Sequence, residues 1–144
     1  MFDGDGSFDP SSLNLMLDKI NQNYEFVFCS RYLGGQVSED ETLITKIGNI
    51  FFTYFVKIFF GIKSTDVLFL YFMTKTDNLR AIDCKMFDFR ICIEILVNAY
   101  KKFKCVEIFS KEKKRLFGES KVNKLLDGIK ILSYLIVLRF NIKR

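Results

Sequence analysis

Residues 89–109, FRICIEILVNAYKKFKCVEIF, decide the fold class of this chain because they join two kinds of apolar pattern. In the first part, apolar residues such as Phe89, Cys92 and Leu96 recur at the spacing of one face of an amphipathic helix. The second part, 104–109, is a short apolar run of the length and composition of a strand. A helix that leads directly into a strand is typical of an α/β protein.

The rest of the chain continues this alternation. Asp9 and Pro10 are residues that favour the start of a helix, which we expect to end near Asn21. Further elements follow as a strand at 24–30, a helix at about 42–60, an extended segment at 67–73 and a final helix at 121–140. The sequence therefore predicts an α/β fold with short strands and longer helices.

The composition indicates one folded domain that covers residues 1–144. The chain is 49% hydrophobic and 16% aromatic, which is too apolar for a disordered tail. Its formal net charge is +5, with lysine and arginine concentrated in 101–144, so anionic partners are favoured. Aliphatic residues dilute these cations in the final helix, and we therefore expect no nucleic-acid partner.

The cysteines predict a reducing environment. The four cysteines form no CxxC pair and the chain has no histidine, which excludes the usual zinc-ligand patterns. Buried, reduced thiols are the expected state. With no cleavable signal sequence at the start, the sequence favours a cytoplasmic location.

Two apolar segments bear on membrane contact, 47–62 and 129–140. Both are shorter than the roughly 20 residues of a spanning helix, and each contains a lysine. We expect neither to cross a bilayer, although both can lie in the interface. The helix at 42–60 is also richer in aromatic residues than one core-facing stripe requires, which predicts a face toward lipid or another subunit.

The turn Asp3-Gly4-Asp5 is a candidate metal site. Two carboxylates one residue apart can share a divalent cation, and oxygen ligands suit Mg²⁺ or Mn²⁺. A solvated acidic turn is the alternative. A calcium loop of the EF-hand kind is excluded because Asn14 stands where a carboxylate is required. A haloacid-dehalogenase-like phosphatase remains a rival, but it needs a late acidic pair and the late region here is basic.

Five short motifs follow one another along the chain. They are the acidic turn with its helix start (Asp3-Gly4-Asp5-Gly6-Ser7-Phe8-Asp9-Pro10), Cys29-Ser30-Arg31-Tyr32, Thr65-Asp66, the helix that carries Glu94, and Arg115-Leu116-Phe117-Gly118-Glu119-Ser120-Lys121. In order and spacing they resemble the family 2 glycosyltransferases of the dolichyl-phosphate mannose synthase type.

This resemblance implies a partial GT-A fold, the nucleotide-diphospho-sugar transferase fold, that lacks its N-terminal strands. The chain would then be a truncated or split glycosyltransferase, with the metal and donor side in 1–32 and the acceptor side and membrane-facing helices in 33–144. The implied reaction is inverting transfer of a sugar from a nucleotide sugar to a polyprenyl phosphate or another membrane-held acceptor. The enzyme would act as a peripheral protein at the cytoplasmic face of the membrane.

The resemblance also implies roles for the binding residues. Asp3 and Asp5 would hold Mg²⁺ or Mn²⁺ beside the donor diphosphate. Arg115 and Lys121 would bind phosphate, and a glycine between these cations suits a phosphate clamp. Arg31 would shape the donor side.

The catalytic candidates are Asp66 and Glu94, either of which would be the base for a hydroxyl acceptor. Each has a simpler interpretation: Asp66 as a turn residue, and Glu94 as a partner of Arg90 or Asn98 on a solvated helix face. A non-catalytic module that binds anionic lipid through its aromatic and basic helices is the alternative function.

Overall fold

The computed structural model describes residues 6–35, 42–113 and 123–140, which form a small α/β protein with five α-helices and a three-stranded mixed sheet. The elements in chain order are α1 (Ser12–Asn21), β1 (Phe26–Ser30), α2 (Leu43–Phe60), β2 (Phe72–Thr74), α3 (Thr76–Ile82), α4 (Ile91–Lys102), β3 (Cys105–Phe109) and α5 (Lys124–Phe140). A short 3₁₀ turn, Leu33–Gly35, follows β1.

The sheet has the strand order β2-β1-β3, with β1 at its centre. β1 is antiparallel to β2, where Phe28 lies opposite Phe72, and parallel to β3, where Val27 lies opposite Val106. All five residues of β1 are buried because helices cover both faces of the sheet. This explains why β1 is a continuous apolar run rather than an alternating one.

Alternate residues of β1 belong to two separate hydrophobic clusters. Phe26 and Phe28 point to the cluster that contains residues of α2, α4 and α5. Val27 and Cys29 belong to the opposite cluster, which includes Met16 of α1. The protein therefore has three layers, with α1 on one side of the sheet and α2, α4 and α5 on the other.

Most predicted elements are confirmed, and three differ. The extended segment predicted at 67–73 forms a strand only at its end, in β2. α3 was not predicted because it is a short and polar helix. The helix in 89–109 exists as α4, but the expectation that it is amphipathic is wrong: seven of its twelve residues are buried, since it packs between neighbouring elements.

α2 is the helix that matters most for the surface of the molecule. Thr42 caps its N-terminus by accepting a hydrogen bond from the Thr45 backbone N–H, and Gly61 ends it in a left-handed conformation with a φ of 69°. Only three residues of α2 are buried: Asn49, Phe52 and Val56. A large part of an apolar helix is consequently exposed.

The exposed face of α2 is apolar throughout. Its members project from adjacent turns and each is at least 46% exposed: Leu43, Ile44, Ile47, Ile50, Phe51, Tyr54 and Ile58. We call this set the apolar face of α2. Scattered apolar residues are normal on a protein surface, but a continuous face of this kind marks a contact with a membrane or another protein.

Within the described residues, α2 is the one helix that is long and apolar enough to cross a bilayer, with 18 residues and a mean hydropathy of 1.4. The expectation that this segment is too short and too charged is therefore not supported. A core helix would pass the same test, but it would be mostly buried, whereas 17% of α2 is buried.

Candidate functional site

The candidate site lies where β1 and β3 end. Because the two strands are parallel, their carboxyl ends meet at one edge of the sheet, and the Ser110 backbone N–H donates to the Ser30 carbonyl oxygen across them. Arg31 follows β1 directly, and Glu112 follows β3 by three residues. This edge of a parallel pair is the usual place for ligands in α/β proteins.

Arg31 and Asp66 form a buried ion pair at this edge. The Arg31 Nε donates to Asp66 Oδ2 over 2.7 Å, and Nη2 donates to Oδ1 over 2.9 Å, so the pair is bidentate. The Arg31 backbone N–H adds a third bond to Oδ2 at 3.1 Å. Asp66 is 1% exposed and Arg31 is 9% exposed. Two of the predicted site residues, 35 positions apart in sequence, are therefore brought together.

Two further side chains complete the environment of this pair. Glu112 accepts from Arg31 Nη1 at 3.0 Å, and Asn49 of α2 donates its amide to Asp66 Oδ1 at 3.0 Å. Burial disfavours the charged guanidinium, but the negative charges of Asp66 and Glu112 outweigh this and raise the pKa of Arg31 above its usual value. Arg31 is thus a permanent cation in a fixed orientation.

The contacts of Asp66 suit a residue that positions Arg31. Both carboxylate oxygens accept hydrogen bonds from Arg31, and one accepts a second bond from Asn49. A free general base would instead present an unengaged oxygen to the proton that it removes. In this geometry Asp66 holds the guanidinium of Arg31 in place.

Glu94 lies elsewhere and joins three parts of the fold. It is 3% exposed, and its Oε2 accepts from the backbone N–H groups of Lys85 and Met86 at 3.0 and 2.9 Å. Its Oε1 accepts from the Tyr134 hydroxyl of α5 at 2.7 Å. The interpretation of Glu94 as a solvated surface partner of Arg90 or Asn98 is wrong, because Glu94 is buried.

No hydrogen bond or ion pair in the described ranges joins Glu94 to Arg31 or Asp66. The structure therefore does not bring the two predicted bases into one cluster. The contacts of Glu94 are those of a residue that ties the segment before α4 to α5. A base role for Glu94 stays a prediction from the resemblance.

Sequence reasoning missed Glu107, which lies on β3 beside the cluster. Its carboxylate accepts from the Thr65 backbone N–H at 3.0 Å, from the Thr65 hydroxyl at 2.9 Å, and from the Ser64 hydroxyl. It therefore holds the loop that carries Asp66. The signal was present in the sequence, since a single acid in the apolar strand of 105–109 needs buried partners.

Glu107 gives a testable pH dependence. Burial raises the pKa of Glu107 above the usual value of 4.5, although the bonds from Ser64 and Thr65 oppose the shift. A raised pKa means that the folded state binds the proton more tightly, so this contribution to stability is present below about pH 4.5 and is lost as the pH rises through the folded pKa. Glu107→Gln should therefore lower the free energy of unfolding most at low pH and less at neutral pH. Urea unfolding between pH 4 and 8 tests this, and a cost independent of pH would contradict it.

The four other predicted site residues, Asp3, Asp5, Arg115 and Lys121, lie outside the described residues. Among the residues that are described, no group of three acidic or sulfur side chains could hold a metal ion. The Mg²⁺ or Mn²⁺ site predicted from Asp3 and Asp5 therefore stays a prediction.

The described neighbours of these two segments are paired with each other. Phe8, which follows the acidic turn, forms an antiparallel bridge with Glu112. Glu112 comes shortly before residues 115–121, which we call the basic loop. The Lys113 backbone N–H donates to the Ser7 carbonyl oxygen at 2.8 Å. The Lys113 ammonium also lies 3.6 Å from Asp9 Oδ1. The last described residue before the basic loop is thus bonded to a residue two positions after Asp5.

The cysteines are free thiols without a reactive setting. Cys29 and Cys92 are buried, and burial raises the pKa of each to about 12. A thiol with such a pKa is not a thiolate near neutral pH and is a poor nucleophile. Cys84 and Cys105 are half-buried, so the expectation of buried reduced thiols is met fully by two of the four.

Comparison of the chain with protein-family models, with curated proteins and with solved structures finds no match.

Proposed function

We propose that this chain functions in inverting glycosyl transfer of the GT-A type, in which a sugar moves from a nucleotide sugar to a membrane-held acceptor. One observation carries the proposal: the residues that flank the acidic turn and the basic loop are paired, through Ser7 with Lys113 and Phe8 with Glu112. This pairing brings together the described residues next to each segment, beside the strand ends that also carry Arg31.

The charges of these segments fit a diphosphate. Carboxylates at Asp3 and Asp5 are the hard oxygen ligands that Mg²⁺ and Mn²⁺ prefer. When bound, such an ion supplies positive charge against the diphosphate leaving group. Arg115 and Lys121 are the cations that would bind the same phosphates directly, and preorganised charge of this kind lowers the barrier of transfer.

Arg31 is the best-defined element of the proposed donor side. A guanidinium has five N–H donors, and three of them are engaged by Asp66 and Glu112, which leaves two for a ligand. The Arg31 Cζ atom lies 4.8 Å from the centre of the Phe69 ring, and this contact further fixes the plane of the guanidinium. An arginine held in this way loses little freedom when it binds an oxyanion.

The membrane side of the proposal is supported by the apolar face of α2. Phe52 and Val56 anchor α2 to the core from one side, and the opposite side presents only apolar residues. A helix with these two sides can lie in the headgroup region with its apolar face in the acyl boundary. We therefore place the acceptor at a membrane surface, with the chain bound peripherally at its cytoplasmic face.

Binding of a nucleoside diphosphate tests the proposal without requiring turnover. We expect the chain to bind UDP or GDP in the presence of Mn²⁺, and Asp5→Ala to weaken this binding at least about tenfold by removing a metal ligand. Lys121→Ala should weaken it by a similar factor, because a charge-assisted bond to phosphate contributes about 1.5–3 kcal/mol. Isothermal titration with each nucleotide, with and without Mn²⁺, measures both effects.

The matched controls are Asp18→Ala on the exposed side of α1 and Lys75→Ala after β2, which make the same charge changes; Lys75 follows Thr74, which pairs with the first residue of β1, at the opposite end of that strand from Arg31. Both should bind as the unchanged chain does. Metal-independent binding, or equal affinity of the Asp5→Ala variant, would contradict the proposal.

The second candidate function is a membrane-surface module without catalysis, which the apolar face of α2 favours by itself. Such a module would contact the membrane as the proposed transferase does, but it would have no site for a nucleotide-sugar donor. Association with vesicles, together with no nucleoside diphosphate binding under any metal condition, would favour this candidate over the transferase.

A further inference from the structure

A cavity of about 410 Å³ opens between α2 and the loop that carries Asp66. Its wall is formed by residues of these two segments and of the turn after β1. No carboxylate is among the described residues that line it. The residues that matter for its chemistry are Lys46, Asn49, Thr53, Lys57, Ser64 and Thr65.

The α2 side of this cavity is a polar stripe in an otherwise apolar helix. Lys46, Asn49, Thr53 and Lys57 are spaced by three, four and four residues, which places them on one face of the helix. This face lies between the buried side of α2 and its apolar face. One stripe of this 18-residue apolar helix is therefore polar.

Two atoms of this stripe are buried without hydrogen-bond partners. Within the described residues, Asn49 Oδ1 and Thr53 Oγ1 have none. The orientation of Asn49 is fixed, because Asp66 can only accept and the amide nitrogen must therefore face it. Asn49 Oδ1 is consequently an acceptor that lacks a donor, and leaving such an atom buried and unsatisfied is unfavourable.

The ends of the stripe carry positive charge. Neither Lys46 nor Lys57 forms an ion pair in the described parts of the chain, and Lys57 lies 6.0 Å from the ring of Tyr54. On the opposite wall the hydroxyls of Ser64 and Thr65 are held by Glu107. A ligand of this cavity thus meets a cation at either end and hydroxyl and amide oxygens between them.

We propose that this cavity binds a phosphorylated polyol headgroup, with its phosphate at a lysine and its hydroxyls at Asn49 and Thr53. Hydroxyls are required because Asn49 Oδ1 needs a donor, and the phosphate of a hydroxyl-free lipid such as a polyprenyl phosphate mainly accepts near neutral pH. The further step of identifying this headgroup with the sugar acceptor rests on the proposed function. The binding itself does not.

The position of the cavity favours a lipid as the source of the headgroup. Ile50 and Tyr54 line the cavity and also belong to the apolar face of α2. A membrane that contacts this face would therefore present its headgroups at the mouth of the cavity. A soluble polyol phosphate has the same chemistry, so the test must separate the two.

The test compares vesicles that carry phosphatidylglycerol with vesicles of equal surface charge that carry phosphatidylethanol, a phosphodiester lipid with the same single charge and no headgroup hydroxyl. We expect the full chain to prefer phosphatidylglycerol, and Thr53→Val to reduce this preference about fivefold by removing one hydrogen-bonding group. The variant should fold normally, because the Thr53 hydroxyl has no partner to lose. The double change Lys46→Gln with Lys57→Gln should weaken binding about tenfold or more, relative to the control pair Lys75→Gln with Lys104→Gln, which lie at the other end of the sheet.

Titration with glycerol 3-phosphate separates the two sources. Binding of this compound without vesicles would support the site with a soluble ligand, and binding to vesicles alone would support it with a lipid. Equal binding to both kinds of vesicle, or a preference that Thr53→Val leaves unchanged, would overturn the proposal. No nucleotide sugar or metal is present, so failure of the transferase proposal would not affect the result.

Discussion

Replacing Asp66 with alanine is expected to lower the free energy of unfolding by about 3–5 kcal/mol. The change leaves Arg31, which is 9% exposed, with Glu112 as the one acidic partner of its guanidinium among the described residues. It also removes the acceptor of the Asn49 amide. Because small domains are stable by about 5–15 kcal/mol, this is a large fraction of the total. Urea unfolding of the two chains measures the difference.

Two controls separate burial from charge. Asp77→Ala removes an exposed Asp–Arg pair, in which the side chains of Asp77 and Arg80 are 92% and 78% exposed, and it should cost less than about 1 kcal/mol. The double change Arg31→Met with Asp66→Leu should recover much of the loss, since it leaves no unpaired buried charge. An effect of Asp66→Ala no larger than that of Asp77→Ala would show that the pair is solvated in solution.

Membrane association is expected to fall at least about twentyfold when Ile47 and Ile58 are both replaced with glutamine. These side chains are 58% and 72% exposed in the apolar face of α2. Burial of one fully exposed isoleucine in an apolar phase contributes about 1.5–3 kcal/mol, so these two partly exposed side chains contribute about 2–4 kcal/mol together. Each 1.4 kcal/mol corresponds to a factor of ten in affinity. Co-sedimentation with vesicles measures the change.

The matched control replaces Leu15 and Leu17 of α1 with glutamine. These leucines are 54% and 50% exposed, so the control removes a similar apolar area from another helix without changing the net charge. It should bind vesicles as the unchanged chain does. Equal binding of both double variants would mean that α2 does not contact the membrane.

The apolar patterns and capping residues of the sequence predicted β1, β3 and α2. β1 is a continuous apolar run up to Ser30, β3 is apolar except for Glu107, and α2 lies between the capping residues Thr42 and Gly61. β2 was predicted only as part of the extended segment 67–73, and α3 was not predicted, because each is short and each is held by its neighbours. The burial of α4 could not be predicted either, since it depends on how many elements pack around it.

The candidate site was predicted in parts. Arg31 and Asp66 were both selected from sequence, but their pairing depends on the parallel alignment of β1 with β3 and on the path of the chain after α2. Asn49 and Glu107 were missed, although each is a polar residue inside an apolar element. A polar residue in such a setting indicates a buried partner, and this signal was available from the sequence.

We propose that the acidic turn and the basic loop bind the same diphosphate. Paramagnetic broadening by Mn²⁺ tests it most directly, with the amide resonances of 115–121 observed in the presence of a nucleoside diphosphate. We predict strong broadening of these resonances that disappears in Asp5→Ala and is absent from residues of α3. Sharp resonances at 115–121, with broadening confined to the residues around Asp5, would contradict the claim.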